Sequence, residues 1–309
     1  MIITNAHYTG VYPTDLIANG GLLGDVLFFA VSGYCLANIK LPFIKWFAKR
    51  VLRIYPPVII ITALYAVLGF YKFSDIWGFL RLFFYPTYYH FVASILVLYI
   101  PFYFVMKFEV LRTRIPLVLL GTLSLELVAY FTVFDRTTYH IDDVYSPMIR
   151  FLFFVAMLIG AYVKQNDLKF RTKNRVINII VTFVLCIIYF CSKMLFVKFS
   201  DVLWISNLQI LNQFVLLALL YFVFVMFAGL DSKLERLPKW IKAVITFISN
   251  MTLEIYLVQY VLIPLLNIGP FPVNWLIITA GVTVAAYALH FVSGKAIGGI
   301  EKLTGISKK

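Results

Sequence analysis

Several side chains able to do chemistry stand in apolar surroundings. His7 is followed by a turn-prone stretch, Asn19-Gly20-Gly21-Leu22-Leu23-Gly24, and then by Asp25. An imidazole titrates near neutrality and can take a proton from a hydroxyl, and a carboxylate beside it can orient the ring and stabilise its cation. The plainer uses are an interfacial histidine bonded to a loop and a helix N-terminal acid facing the macrodipole. A second group is cationic: in Lys49-Arg50-Val51-Leu52-Arg53 the two arginines are three residues apart. On a helix they share a face and can hold a polyanion, such as the phosphates of a nucleotide or coenzyme; anchoring at a membrane surface is the plainer use. A third group is buried by its neighbours: Glu126 and Glu254 sit near the middle of apolar runs, with Arg150, Gln259, Asn212 and Gln213 as candidate partners in other runs. Such carboxylates face the bundle interior and are protonated or paired, and interhelical hydrogen bonding accounts for them as well as catalysis does. His90, among Tyr88, Tyr89 and Phe91, reads as part of an aromatic belt, and His140 as a solvated loop residue.

The elements that position these groups are apolar runs long enough to cross a hydrocarbon core of about 30 Å as helices. They fall at 22–39, 54–71, 88–106, 115–134, 147–163, 175–195, 207–229, 243–263 and 273–292. Residues 1–12 are apolar but too short to span, and they read as the outer half of a first helix whose inner half is missing. The expected fold is therefore an all-α polytopic membrane protein of about ten transmembrane helices, the first truncated, in a single domain over residues 1–309. With 62% apolar and 13% charged residues there is no room for a soluble domain.

The connecting loops alternate in charge. One set of loops carries 21 of the 27 basic residues, from Lys40 to Arg53, Lys107 to Arg114, Lys164 to Arg175, Lys233 to Lys242 and Lys295 to Lys309. The other set holds Lys72, Arg81, Arg136, Arg150, Lys193 and Lys198, together with acids such as Asp15, Asp75, Asp135, Asp142, Asp143 and Asp201. The positive-inside rule places the first set and the C-terminus in the cytoplasm, and His7 at the external side or in the outer half of the bilayer. The net charge of +13 is then orientation and contact with anionic lipid, with no nucleic-acid module in the chain. Cys35, Cys186 and Cys191 read as free thiols within spans. No CxxC, HExxH, P-loop or GxSxG pattern occurs, so no metal is expected and nucleotide and serine-hydrolase chemistries have no support.

The order of these elements resembles the acyltransferase-3 family of integral-membrane acyltransferases. The likeness rests on the early His7; on Gly24-Asp25-Val26-Leu27-Phe28-Phe29-Ala30-Val31-Ser32-Gly33-Tyr34; on Phe47-Ala48-Lys49-Arg50-Val51-Leu52-Arg53-Ile54-Tyr55-Pro56-Pro57; and on Ile248 to Gln259, similar to a late helix that commonly ends Tyr-Leu-(Ile/Val)-His. The segment from His90 to Tyr99 is similar to the family's Trp-Phe-Leu…Tyr stretch. The resemblance implies an O-acyltransferase moving groups other than amino-acyl groups. The acyl unit is usually acetyl from cytoplasmic acetyl-coenzyme A, and the acceptor a hydroxyl of an extracytoplasmic or lipid-linked glycan at the cell membrane. It implies His7 as the general base, with Asp25 as a candidate companion, and Arg50 and Arg53 on the coenzyme. Ser32-Gly33 would let helices close around a narrow acyl path. The chain departs from the family pattern at Asp25, usually apolar, at Gln259 and His90, often histidine and tryptophan, and in lacking an arginine a helix length before His7. A transporter or flippase for a glycan or lipid-linked substrate, or a non-catalytic relative in polysaccharide assembly, would share the spans and the buried glutamates.

The charge split has a direct readout. In a background with Cys35, Cys186 and Cys191 replaced by alanine, an impermeant thiol reagent outside the cell should label a cysteine at position 142 and miss one at 171. The opposite pattern would reverse the orientation and move His7 to the other side.

Overall fold

In hydrocarbon each backbone N–H and C=O must bond within the protein, so apolar runs of this length become helices. The computed structural model describes residues 2–166, 175–228 and 230–305; the basic residues Lys169, Arg171, Lys173, Lys308 and Lys309 lie outside them. In chain order the helices are α1 (Ile2–Ala6), α2 (Gly21–Leu36), α3 (Phe43–Val67), α4 (Ile76–Phe83), α5 (His90–Lys107), α6 (Glu109–Arg112), α7 (Ile115–Thr132) and α8 (Ile149–Gln165). They continue as α9 (Arg175–Lys198), α10 (Leu203–Ser206), α11 (Ile210–Ala228), α12 (Asp231–Leu234), α13 (Lys239–Asn250), α14 (Thr252–Leu266) and α15 (Val273–Thr304). No strand occurs among the described residues. The fold is all-α and polytopic.

Each of the nine apolar runs lies on a helix, but they are not nine equal spans. Among the described residues six stretches are long and apolar enough to cross a membrane, namely α3, α5, α7, α9, α10 with α11, and α15. The pair α13 and α14, bent by 66° around Met251, makes a seventh if taken together. Helices α2 and α8 have only 16 and 17 residues, short of the roughly 20 that a straight crossing needs. The run at 22–39 extends past α2, which stops at Leu36; Asn38 and Lys40 follow before Pro42, in extended conformation, caps the next helix. The first element also differs from expectation. It is helical only over Ile2–Ala6, and residues 7–20 form turns. Gly10 at φ +73° and the Asn5 side chain, which donates to the carbonyls of Ile17 (2.7 Å) and Asn19 (3.1 Å), fold the chain back.

Two compact units result. The first comprises Met1–Gly24, Leu41–Leu96 and Pro238–Lys309. Within it α14 lies along α15, and α3 packs against both. The inward stripe of α15, Asn274, Ile278, Val282, Ala286, Leu289 and Ser293, recurs every three or four residues, as one face of a helix must. Tyrosines add polar ties, Tyr65 Oη donating to the Val258 carbonyl (3.0 Å) and Tyr89 Oη to that of Leu257 (3.1 Å).

The second unit comprises Asp25–Lys40 and Val97–Leu237. There α9 lies along α11, and α8 packs against α11 and α7. Its loop between α7 and α8 is held by one amide: Gln209 Oε1 accepts from the backbone N–H of His140 (3.0 Å) and Ile141 (2.9 Å), while its Nε2 donates to the Thr138 carbonyl (3.0 Å). The His140 ring stacks on Phe134 at 4.4 Å, so packing rather than solvation places it. Helices α2 and α8 meet backbone to backbone. A Cβ on Gly33 would lie 2.0 Å from the Met157 carbonyl oxygen, and one on Gly160 would lie 1.8 Å from that of Ala30.

This contact predicts a sharp positional effect. Gly33→Leu and Gly160→Leu should each lower the thermal midpoint of the detergent-solubilised protein, at or beyond the upper end of the about 1–3 kcal/mol typical of overpacking. Gly121→Ala, where an added Cβ meets nothing within 4 Å, should match the unaltered protein or gain about 0.5–1 kcal/mol. Equal losses at the three sites would show that the α2–α8 approach is not what the glycines serve.

Candidate functional site

His7 directly follows α1 and lies outside every helix long enough to cross a membrane. Its short helix is seated on the glycine-rich start of α2. A Cβ on Gly24 would fall 2.5 Å from Ile3 Cγ1 and 3.0 Å from the Ile3 backbone nitrogen, and one on Gly21 3.1 Å from the Ala6 Cβ. The turn read as sharp in the sequence is therefore the seat that brings the imidazole in. Tyr12 Oη donates to Asn5 Oδ1 (2.7 Å) and closes the segment on itself.

The imidazole meets an aromatic cluster gathered on α14. It stands edge-on to Tyr260, with centroids 4.8 Å apart, and Tyr260 Oη donates to Tyr256 Oη at 2.9 Å. Tyr88, Tyr89, His90 and Phe91 lie against the same two tyrosines. The ring nitrogens of His7 make no hydrogen bond among the described residues. Burial disfavours the imidazolium and holds its pKa below the ordinary 6.5, so the ring is neutral at physiological pH and able to accept a proton. His90 opens α5 within this cluster, a closer neighbour of His7 than an aromatic belt suggests.

Asp25 belongs to the second unit. It is the fifth residue of α2, beyond the first turn in which the macrodipole acts, and it is buried at 4% exposure. Its Oδ1 receives no hydrogen bond among the described residues. In the same unit the motif around it is used for packing: Ser32 Oγ lies 3.4 Å from Tyr99 Oη, Gly33 admits the Met157 backbone, and Lys164 Nζ stands 4.6 Å from the Tyr34 ring centroid. Glu126 is buried on α7 with Oε1 unbonded among the described residues. Two of its candidate partners are committed elsewhere through their amide nitrogens. Asn212 donates to Tyr189 O (3.0 Å) and Ser192 Oγ (2.8 Å), and Gln213 to Ile141 O (3.0 Å). Arg150 is the second residue of α8, the helix that packs on α7.

Arg50 and Arg53 lie on α3, which is helical from Phe43, so the expected shared face exists. Arg53 is exposed, and the half-buried Arg50 guanidinium stands over the Trp46 ring at 5.7 Å. Such stacking fixes the stem of the side chain.

Glu254 is not at the middle of a straight span. The break at Met251 puts it in the first turn of α14, and its Oε1 lies 3.0 Å from Nδ1 of His290 on α15. His290 is the site residue that sequence reasoning missed. The available signal was a lone histidine inside the last apolar run, but its carboxylate lies 36 residues away, with no spacing rule to join them. Gln259, five residues on from Glu254, is fully buried, and neither Oε1 nor Nε2 has a hydrogen-bond partner among the described residues. No group of three or more metal-ligating side chains occurs among the described residues.

A family model described as an acyltransferase domain, Acyl_transf_3, matches residues 1–292 and so includes all of these positions. No curated protein and no solved structure matches the chain.

The pairing of Glu254 with His290 predicts strong coupling. His290→Ala should cost about 1–3 kcal/mol of stability, because a buried carboxylate loses its partner. Glu254→Leu combined with His290→Ala should recover part of that loss, giving a coupling energy of at least about 1 kcal/mol in a double-mutant cycle read from thermal midpoints. Strict additivity would show that the 3.0 Å contact contributes nothing.

Proposed function

The chain belongs to the acyltransferase-3 family of membrane acyltransferases, and from that premise we propose that it moves an acetyl group from cytoplasmic acetyl-coenzyme A to a hydroxyl of an extracytoplasmic or lipid-linked glycan. The observation that carries this reading is the half-buried imidazole of His7, neutral and with both ring nitrogens unbonded, in the same unit as the arginine face of α3. Each residue then has a step. His7 takes the proton from the acceptor hydroxyl as the oxygen attacks the thioester carbonyl; the carbon–sulfur bond breaks, and the proton passes on to the departing thiolate. Arg50 and Arg53 hold the coenzyme phosphates on the side where loop charge puts the cytoplasm. Gln259, in the same unit as His7, offers an unused donor and acceptor to a bound substrate. The bent α13–α14 pair is a feature that transporters also show, but a free base beside a family acyltransferase match favours group transfer.

Membranes containing the chain, incubated with labelled acetyl-coenzyme A, should leave ester-linked acetate on glycan. His7→Ala should lower the rate by about 10²- to 10⁴-fold at unchanged protein level. Because burial lowers the pKa of His7, the base form persists into mild acid, and kcat/KM should fall to half only below pH of about 6.5. Normal transfer by His7→Ala, or an acid limb centred above that value, would remove His7 from the mechanism. Replacing Arg50 and Arg53 together by alanine should raise KM for the coenzyme while insertion is kept; an unchanged KM would return both to membrane anchoring.

A further inference from the structure

A cavity of about 460 Å³ opens in the His7 unit, within the size range of small-molecule sites. Residues 10–13 form one wall, and the loop from Asn267 to Asn274 forms the other. Its lining contains no acidic or basic side chain. Two amides fix the walls. Asn274 Nδ2 donates to Val11 O (3.1 Å) and to Asn267 Oδ1 (2.8 Å), and Asn267 Nδ2 donates to Gly10 O (3.2 Å). Asn274 Oδ1 accepts from the Trp275 backbone N–H (2.8 Å). These bonds leave a second hydrogen on Asn267 Nδ2 and a second lone pair on each amide oxygen, held in set directions. The rings of Tyr12 and Phe271, both partly exposed, add an apolar surface, with centroids 5.9 Å apart and tilted by 56°.

Oriented neutral donors and acceptors beside aromatic faces select a particular ligand chemistry. An anion would need a cation, and the lining has none. An alkyl chain would leave the amides unpaired. A pyranose ring matches both features, since each hydroxyl is donor and acceptor and the ring carbons present C–H faces to the aromatics. The cavity and the proposed base belong to the same unit and share neighbouring elements. Tyr8, next to His7, packs edge-on to Tyr12 at 5.7 Å, and Asn267 follows α14, which carries the Tyr260 that His7 touches. We infer that this cavity is the acceptor subsite, binding one uncharged pyranose unit with Phe271 as the stacking platform and Asn267 as the hydroxyl-reading group; this rests on the acyltransferase reading of His7.

The test is saturation-transfer NMR on the full chain, in a detergent without a sugar headgroup and with no acyl donor present. The probes are methyl α-glucopyranoside, methyl β-galactopyranoside and methyl N-acetyl-β-glucosaminide. At least one should bind. Phe271→Ala and Asn267→Ala should each weaken that binding by about tenfold, and Phe271→Trp should retain it. If an alanine variant fails to fold, Phe271→Leu and Asn267→Asp take its place at these exposed positions and should show the same loss. Absence of binding by all three glycosides, or equal binding by the unaltered and altered chains, would overturn the subsite. A chain that binds through Phe271 yet leaves no labelled acetate keeps the subsite and loses the proposed reaction. A chain that transfers label yet binds no glycoside loses the subsite alone.

Discussion

Hydrocarbon supplies no hydrogen bonds, and at several of its interruptions the chain answers that lack with a side chain. Inside a helix the backbone satisfies itself; at an interruption a backbone or side-chain group from elsewhere has to take its place. Residues 7–20 are closed by Asn5, the loop before α15 by Asn267 and Asn274, and the loop between α7 and α8 by Gln209. The break at Met251 brings Glu254 to His290. Amide side chains recur at places where regular structure ends, and the candidate base, its aromatic cluster and the cavity beside Asn267 lie near such ends.

The two units reach close packing by different means. In the second, glycines at positions 33 and 160 let two backbones touch, so cohesion comes from dispersion over a very short approach. In the first, tyrosine hydroxyls reach backbone carbonyls of α14, and rings fill the space between helices. Aromatic packing tolerates a polar guest better than a glycine contact does, because a ring edge can face a hydroxyl where a backbone against a backbone leaves no room. A substrate site is physically more at home in the tyrosine-rich unit.

Much of this was legible in the sequence. Hydrophobic run length located each stretch long and apolar enough to cross a membrane among the described residues, because burial in lipid acts on each residue separately, but it counted the shorter α2 and α8 as full spans. Arg50 and Arg53 were legible as a pair, because three residues on a helix is a fixed angle. What did not show was set by tertiary geometry. The end of α2 at Leu36, the bend at Met251 and the turn after Ala6 are not marked by hydropathy. His290 remained unseen because its partner lies on another helix, and an apolar run does not state which neighbour it will meet. Two candidate partners of the buried glutamates, Asn212 and Gln213, spend their amide nitrogens on Tyr189, Ser192 and Ile141.

The buried amide of Gln259 carries a consequence on an evolutionary scale. Two unsatisfied polar atoms in a fully buried side chain lower stability, and leucine, of similar volume, would remove the penalty. Selection for folding alone would therefore erase this glutamine, whereas it would retain Glu254, whose imidazole partner makes its loss costly. The two positions record different pressures. Under selection for folding alone, position 259 would drift to an apolar residue while 254 stayed acidic.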